Sequence, residues 1–597
     1  MERTGAQMIV EALKQEGVDT VFGYPGGAVI PIFDALYDAK EIRLILTRHE
    51  QAAVHAADGY ARVTGKVGVC IATSGPGATN TVTGLATARF DSVPLVCITG
   101  QVSRAMIGND AFQEADTVGI TQPVTKHNYL VTKRENLAEI MRKSFFLAAN
   151  GRPGPIVVDV PKDVQNETYE DTYPAQVMIR GYKPVGSPEP KALRALSAAL
   201  AQSKKPLFFL GGGMVIANAE ETFDKILQAT GVPVITSLMG IGVVDSRHPL
   251  NLGMVGMHGS VAANKALTAC DLLIGLGVRF DDRATGEPSR FAPHAVKVHV
   301  DIDPSSIGRN IDIDIPVIAD LRLALDELLP LLPVSPESEK LEPWLSEIKC
   351  YKSLEQRLAS SATQDATKGT KQSAPRESDN PPDPREVLDA LNETFPDAVV
   401  STEVGQNQMW AAQYLAFSKP RRWLTSGGLG TMGYGFPAGM GAQASDPHNP
   451  VIVVAGDGSF QMNIQELATC VQQSLPVIVV ILNNGYLGMV RQWQELFYKR
   501  RYSSTCLESR DGCNRGCVDM EKQSLPYMPD FAGIAKAYGA QGYRTETLAQ
   551  FKAALQAVKN CCYPTVIDCA IAKEANVWPM VAPGKGNDQM LYKNTSV

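Results

Sequence analysis

No apolar run in this chain is long enough to cross a membrane: the longest, Leu475 to Leu482, is less than half of the roughly 18 residues that a span requires. Positive charge is also in short supply. With 56 Lys and Arg against 63 Asp and Glu, a net charge of -7 and a pI near 5.8, the chain has no excess cation to displace counterions from a nucleic acid. Cysteine is sparse, at 11 in 597 residues, and Cys70, Cys97 and Cys270 sit inside apolar runs as reduced structural thiols do. Residues Met1 to Val10 carry Glu2 and Arg3 and lack the charged-then-apolar pattern of a secretory signal, so a cytoplasmic location is expected. Cys506, Cys513 and Cys517 match no usual zinc spacing and have no nearby His to complete a ligand set, which reads as a surface insertion. What the chain does have is 44% hydrophobic residues and 51 glycines, the composition of a globular protein with many tight turns, and the lack of excess cation leaves a small-molecule substrate as the expectation.

At 597 residues several domains are expected. Three blocks alternate short apolar runs with helical patterns, the signature of parallel α/β units, so the fold class is α/β with three Rossmann-like parallel-sheet domains. The first, 1–165, has strand-like Val67 to Thr73, Pro94 to Thr99 and Pro155 to Val160. The second, 190–335, has Pro206 to Leu210, Val232 to Thr236, Leu272 to Leu276 and Val296 to Val300. The third, 384–570, has Val451 to Ala455 and Val477 to Leu482, and a tail occupies 571–597. Residues 336–383 form a connector. Within it, Ser360 to Asp383 contains no aromatic or branched aliphatic residue and is expected to be an unstructured linker. The polar stretch Leu507 to Ser524, inside the third block, is expected to be disordered without a ligand.

Val451 to Ala455 runs directly into Gly456, Asp457, Gly458 and Ser459, and a later strand ends in Asn483 and Asn484. Glycines let the backbone approach an anion, and a following helix start offers unpaired N–H groups to phosphate oxygens. Asp457 and Asn484 are hard oxygen ligands at the ends of successive strands. With a backbone carbonyl, here that of Tyr486, diphosphate oxygens and water, they would complete the octahedron of Mg²⁺. A bare Gly-Asp-Gly could be a simple turn; its distance from Asn-Asn, with both on strand ends, argues against that. The arrangement resembles the thiamine diphosphate signature.

That resemblance implies a glutamate against the aminopyrimidine ring, which promotes the imino tautomer. Glu50, in Thr47-Arg48-His49-Glu50-Gln51, matches it; alone, it would read as a helix N-terminal carboxylate favoured by the dipole. Tyr24-Pro25-Gly26-Gly27, Thr73-Ser74-Gly75-Pro76-Gly77, Ala111-Phe112-Gln113-Glu114 and the loop Ser426 to Gly435 are similar to active-site segments of the acetohydroxyacid synthase catalytic subunit family. The resemblance covers the whole chain except the two polar stretches. It implies pyrimidine-binding, central FAD-binding and diphosphate-binding domains, in that order.

By the same resemblance, Glu50, Gly27, Gln113 and Lys162 are catalytic candidates. Pro25, Gly405, Gln406, Asn407, Gly430, Met432, Gly456, Gly458, Ser459, Tyr486, Gly488 and Met489 would contact thiamine diphosphate, with Met432 as the wedge under its bent shape. Gly211-Gly212-Gly213 is a weak dinucleotide-style turn alone. Joined to Arg152, Ser237, Leu238, Gly256, Met257, His258, Gly277, Arg279, Asp281, Arg283, Asp301, Ile302 and Asp320, it is similar to the family's FAD site. Arg283 would hold the acceptor carboxylate by a two-bond fork, Trp493 would pack on the acceptor's extra methyl, and Met489 and Phe112 would line the substrate path. Where the family usually has a histidine, this chain has Asn407, which still offers a neutral donor to a diphosphate oxygen. The tail from Trp578 to Gly584 resembles a segment that folds over the site.

The implied activity decarboxylates pyruvate and joins the remaining two-carbon fragment to pyruvate or 2-ketobutyrate, giving 2-acetolactate or 2-aceto-2-hydroxybutyrate for isoleucine, valine and leucine synthesis. A homodimer or higher homo-oligomer, and a small regulatory subunit, are the implied partners. The rival readings are an FAD-dependent pyruvate oxidase, a catabolic acetolactate synthase that needs no FAD, and a non-catalytic nucleotide-binding protein.

Overall fold

The computed structural model describes residues 2–170, 172–332, 338–367, 380–508 and 527–593. Three six-stranded sheets, every neighbouring pair in them parallel, organise the chain. Their central strands are continuous apolar runs buried on both faces, as strands covered by helices on each side must be. From one edge to the other, the first sheet places the strands beginning at Arg43, Thr20, Gly68, Leu95, Pro155 and His127. The third repeats that winding with strands beginning at Trp423, Val399, Val451, Ile478, Thr565 and Gln541. Both have the order 2-1-3-4-6-5. The middle sheet, with strands beginning at Asn251, Val234, Pro206, Leu272, Val296 and Ile315, has the dinucleotide-fold order 3-2-1-4-5-6. The α/β expectation holds, with the refinement that the outer sheets share one topology and the middle sheet another.

The first and third units pack through two helices. Glu50–Thr64 and Gly435–Ser445 touch backbone to backbone: a Cβ on Gly59 would lie 2.1 Å from the Ala438 carbonyl oxygen, and one on Gly441 1.8 Å from that of Ala56. Glycine at these two positions is what allows the helices to approach so closely. Tyr60, Leu85, Phe436, Phe460 and Phe531 fill one apolar cluster spanning both units.

The connector departs from expectation. A helix runs Ser338–Thr367, so residues 360–367 are helical rather than unstructured. Its first half supplies the apolar contacts that the later residues lack: Trp344 is buried and donates to the Pro206 carbonyl at 3.0 Å, and Leu341 and Ile348 join the middle unit's core. The helix then propagates from that anchored segment at little further cost. The rest of the predicted linker up to residue 379 lies outside the described residues.

Candidate active site

Ligands of open α/β sheets bind beyond the carboxyl ends of the strands, where the winding reverses. In the third sheet this crevice lies between Val399–Thr402 and Val451–Gly456, and it is where Glu403 to Gln408 and Gly456 to Ser459 emerge. Asp457 and Asn484 follow adjacent parallel strands, and both are buried. One Asp457 oxygen accepts from the Gly485 amide at 2.8 Å and the other from the Gly458 amide at 3.1 Å. The Asn484 side-chain oxygen accepts from the Tyr486 amide at 3.1 Å. Two hard oxygens are therefore turned onto one tight turn. Burial pushes the Asp457 carboxyl up to about 7, so this group gains from a neighbouring dication. A Cβ on Gly430 would meet nothing within 4 Å, and one on Gly405 only the Asn407 side-chain oxygen. Both glycines have positive φ and border open space.

Three expectations change here. Both N–H donors of Asn407 are committed, to the carbonyls of Glu403 at 2.9 Å and Val454 at 3.0 Å, so its oxygen rather than a donor faces Gly405 and Gly456. The reversed amide would set its oxygen against those two carbonyls. The Ser459 hydroxyl bonds back to Gly456 and closes the turn. Leu507 and Glu508, read as the start of a disordered stretch, belong to this turn: Leu507 donates to the Gly485 carbonyl at 2.8 Å and Glu508 pairs with Lys573 at 2.5 Å. Residues 509–526, with Cys513 and Cys517, lie outside the described residues. Among the described residues no group of three or more His, Cys, Asp or Glu is arranged to hold a metal.

Gln492 and Glu403, which the sequence reading did not single out, complete this region together with Gln406. Gln406 donates to Gln492 at 2.9 Å and receives from Asn484 at 3.3 Å, while Gln492 bonds both the amide and the carbonyl of Val577. Met489 and Trp493 stand on this same helix, Gly488–Phe497. The Glu403 carboxylate accepts from the amides of Gly433 at 2.7 Å and Phe436 at 3.0 Å, fixing the loop that carries Met432. Burial raises it to about 7.

A second cluster lies at the equivalent crevice of the first sheet. Glu50 opens its helix and accepts from the Asn80 amide at 3.0 Å, and a Cβ on Gly77 would lie 3.3 Å from it. Gly26 packs on Thr73, and Gly75 on Gln113, which has φ +59. Gly27 faces open space, Phe112 is 88% exposed, and Lys162 is exposed at the start of a short helix. Within the one chain no hydrogen bond among the described residues joins this cluster to the one around Asp457.

The middle sheet's switch point opens a cavity of about 840 Å³, within the range of cofactor sites. Arg152, Gly212, Gly213, Ser237, Leu238, Met257, His258, Gly277, Arg279, Asp281, Arg283, Asp301, Ile302 and Asp320 line it, as do Gly405, Gly430, Met489 and Trp493 from the third unit. Gly211 and Gly256 do not. A Cβ on Gly211 would lie 2.0 Å from the Gly277 carbonyl, and one on Gly256 2.3 Å from that of Arg283, so both serve close backbone packing. Asp91, another wall residue absent from the sequence reading, accepts from the amides of Gly427 at 3.0 Å and Gly428 at 2.8 Å and pairs with Arg62 at 2.9 Å. A second recess of about 1130 Å³ shares Met489 and Trp493 and is bordered by Lys499, Arg500 and Arg501.

Three family profiles match in the order of the three sheets. They are the thiamine pyrophosphate enzyme N-terminal TPP binding domain over 3–120, the central domain over 193–328 and the C-terminal TPP binding domain over 403–569. Fold and profiles together define a thiamine pyrophosphate enzyme. The acetolactate synthase large subunit of Corynebacterium glutamicum is 45% identical over 596 residues, covering 99% of this chain and 90% of that protein. The acetolactate synthase of Mycobacterium bovis is 45% identical over 597 residues, covering 98% and 91%, and the large subunit of Parasynechococcus marenigrum is 45% identical over 596, with the same coverage. The chain belongs to the acetolactate synthase large-subunit family.

Proposed function

We propose that the chain decarboxylates pyruvate and condenses the two-carbon fragment with pyruvate or 2-ketobutyrate, the acetohydroxyacid synthase reaction of branched-chain amino acid synthesis. The observation that carries this reading is the continuity of one cavity from Arg152 and Asp320 in the middle unit to Gly405, Gly430, Met489 and Trp493 beside the Gly-Asp-Gly turn. Thiamine diphosphate, when bound, supplies the electron sink on which a 2-keto acid loses carbon dioxide. Gly405, Gln406, Gly430, Gly456, Gly458, Gly488 and Met489 would hold it. Asp457 and Asn484, with the Tyr486 carbonyl, would hold Mg²⁺; their buried oxygens suit a hard cation. FAD would occupy the cavity walls from Arg152 to Asp320. Glu50 would exchange a proton with the aminopyrimidine. Arg283 would hold the acceptor carboxylate, Trp493 would pack on its alkyl end, and Lys499 to Arg501 would draw anionic 2-keto acids toward the opening.

The active unit in this reading is a homodimer. Among the described residues no hydrogen bond joins the Glu50 carboxylate to Asp457 or Asn484 of its own chain, and Tyr24, Ile30 and Phe112 expose apolar surface beside it for a second copy to cover. The relatives named large subunits favour a small regulatory partner as well. The purified chain is expected to show a flavin spectrum and to form acetolactate from pyruvate only with both thiamine diphosphate and Mg²⁺ supplied. Flavin bleaching or peroxide formation with pyruvate would instead mark a pyruvate oxidase, and activity in a colourless protein a catabolic synthase.

A further inference from the structure

The acceptor arginine stands on a helix of only four residues, Asp282–Thr285, whose carbonyls find almost no partners within it. The Asp282 carbonyl takes the Gly286 amide at 3.1 Å. That of Arg283 takes the Met257 amide at 2.8 Å, and Met257 is itself fixed because its carbonyl accepts from the Val581 amide at 2.7 Å. The Ala284 carbonyl is met by a side chain from some 300 residues away: the Asn587 amide donates to it at 2.9 Å. Asn587 is 2% exposed, although Pro583 to Lys585 before it and Asp588 and Gln589 after it are exposed. Around it the tail follows the turn closely. The Glu287 amide donates to the Lys585 carbonyl at 3.1 Å, Arg290 pairs with Asp588, and the Lys585 carbonyl lies 2.5 Å from where a Cβ on Gly286 would be.

We propose that Asn587 is a positioning residue for acceptor selection: by holding the Ala284 carbonyl it fixes the short helix that presents Arg283 to Trp493. The tail thereby becomes part of the acceptor site while touching none of the reacting atoms. This rests on the reading of Arg283 as the carboxylate holder, and it separates the two halves of the reaction. Loss of the Asn587 donor loosens the orientation of Arg283, which the second 2-keto acid needs. The Gly-Asp-Gly turn and Glu50, where the first is decarboxylated, are untouched.

The experiment uses the full chain with thiamine diphosphate, Mg²⁺ and FAD, and measures two quantities. One is the product ratio in competition between pyruvate and 2-ketobutyrate, with the acceptor KM. The other is single-turnover carbon dioxide release at substoichiometric pyruvate. Asn587→Asp keeps the shape but cannot donate; it is expected to raise the acceptor KM and shift the product ratio at least fivefold, with carbon dioxide release within twofold of the parent. Asp588→Ala, on the surface, loosens the same stretch without a buried change and is expected to shift the ratio in the same direction by a smaller factor. Arg283→Gln separates the two levels of the argument. If it leaves acceptor KM and ratio unchanged, the reading of Arg283 fails and this proposal with it. If it changes both while Asn587→Asp and Asp588→Ala leave them within twofold, the positioning role alone is overturned. Equal losses in both halves of the reaction in Asn587→Asp also overturn it, since they mark a general defect.

Discussion

The Arg283 guanidinium carbon lies 5.8 Å from the centroid of the Trp493 ring, over its face, although the two residues belong to different units. The ring thus limits where the cation can swing, and its own N–H is buried without a partner among the described residues, so Trp493 is seated for shape rather than for a hydrogen bond. Trp493→Leu removes both the wall and the restraint. Because one methylene in an apolar pocket discriminates by roughly 10-fold to 200-fold at best, the variant is expected to lose most of a preference for 2-ketobutyrate over pyruvate. Total turnover should fall much less. Chromatographic separation of the two products from mixed substrates reads the ratio directly, and an unchanged ratio would remove Trp493 from the acceptor site.

Glu50 accepts a hydrogen bond from the Asn80 side chain, its one side-chain partner among the described residues, and stands at the first turn of a helix that is buried from Ala52 to Ala61. The helix fixes its position while leaving the residue only partly buried. Glu50→Gln keeps size and the bond from Asn80 to the side-chain oxygen, so the fold should survive. It cannot exchange a proton, a loss of roughly 100-fold to 10,000-fold for a positioned acid–base group. Acetolactate formation is expected to fall by that much, with the thermal midpoint unchanged.

Asn407 yields a prediction that turns on which end of its amide borders the site. With both donors held by the Glu403 and Val454 carbonyls, its oxygen is what borders Gly405 and Gly456. An acceptor beside a diphosphate weakens binding, and a carboxylate there would do so more. Asn407→Asp is therefore expected to raise the Kd for thiamine diphosphate at least tenfold, while Asn407→His, which can turn an N–H outward, is expected to lower it. Equilibrium titration of the chain with the cofactor in saturating Mg²⁺ checks both. Equal affinities in the two variants would show that this side chain does not face the diphosphate.

These cases show what could be read from the chain. Strands such as Pro206–Leu210 and Leu272–Leu276 are continuous apolar runs because both faces are covered, and they stand where the sequence predicts them. Gln541–Thr545 and His127–Leu130 escaped notice because edge strands are only partly buried and carry polar residues. Gly456-Asp457-Gly458 and Gly211-Gly212-Gly213 were legible because each stands at the carboxyl end of a strand at a switch point. Asp91, Gln492 and Asn587 were not. Each acts on backbone groups far away in sequence, Asp91 on amides more than 330 residues distant, and a single Asp, Gln or Asn shows no periodicity that would reveal such a partner. The tail was expected to fold over the site, but which of its residues grips the Arg283 helix is a property of the packed structure alone.

Stability should depend on pH through carboxyls that the fold buries. Asp159 accepts from the Thr99 hydroxyl at 2.7 Å and the Gln101 amide at 3.0 Å, and burial pushes it up to about 7 despite those bonds. Glu403 and Glu466 are raised to about 7 for the same reason. A carboxyl whose folded pKa exceeds its unfolded value binds a proton more tightly in the native state. Its contribution is therefore fully present below the unfolded pKa and is lost as the pH rises through the folded one, with no further change above it. For one such group the loss is up to about 4 kcal/mol across that window, at about 1.4 kcal/mol per pKa unit. The thermal midpoint of the cofactor-free chain is accordingly expected to fall from pH 5 to pH 8. In Asp159→Asn the same interval should produce a smaller fall, because the amide does not ionise. Since Gln101 also donates to the Ala115 carbonyl at 2.8 Å, ionisation of Asp159 acts on the backbone next to the Ala111 to Glu114 segment. Calorimetric scans of parent and variant at matched ionic strength test the sign, and parallel curves would mean that Asp159 ionises alike in the folded and unfolded states.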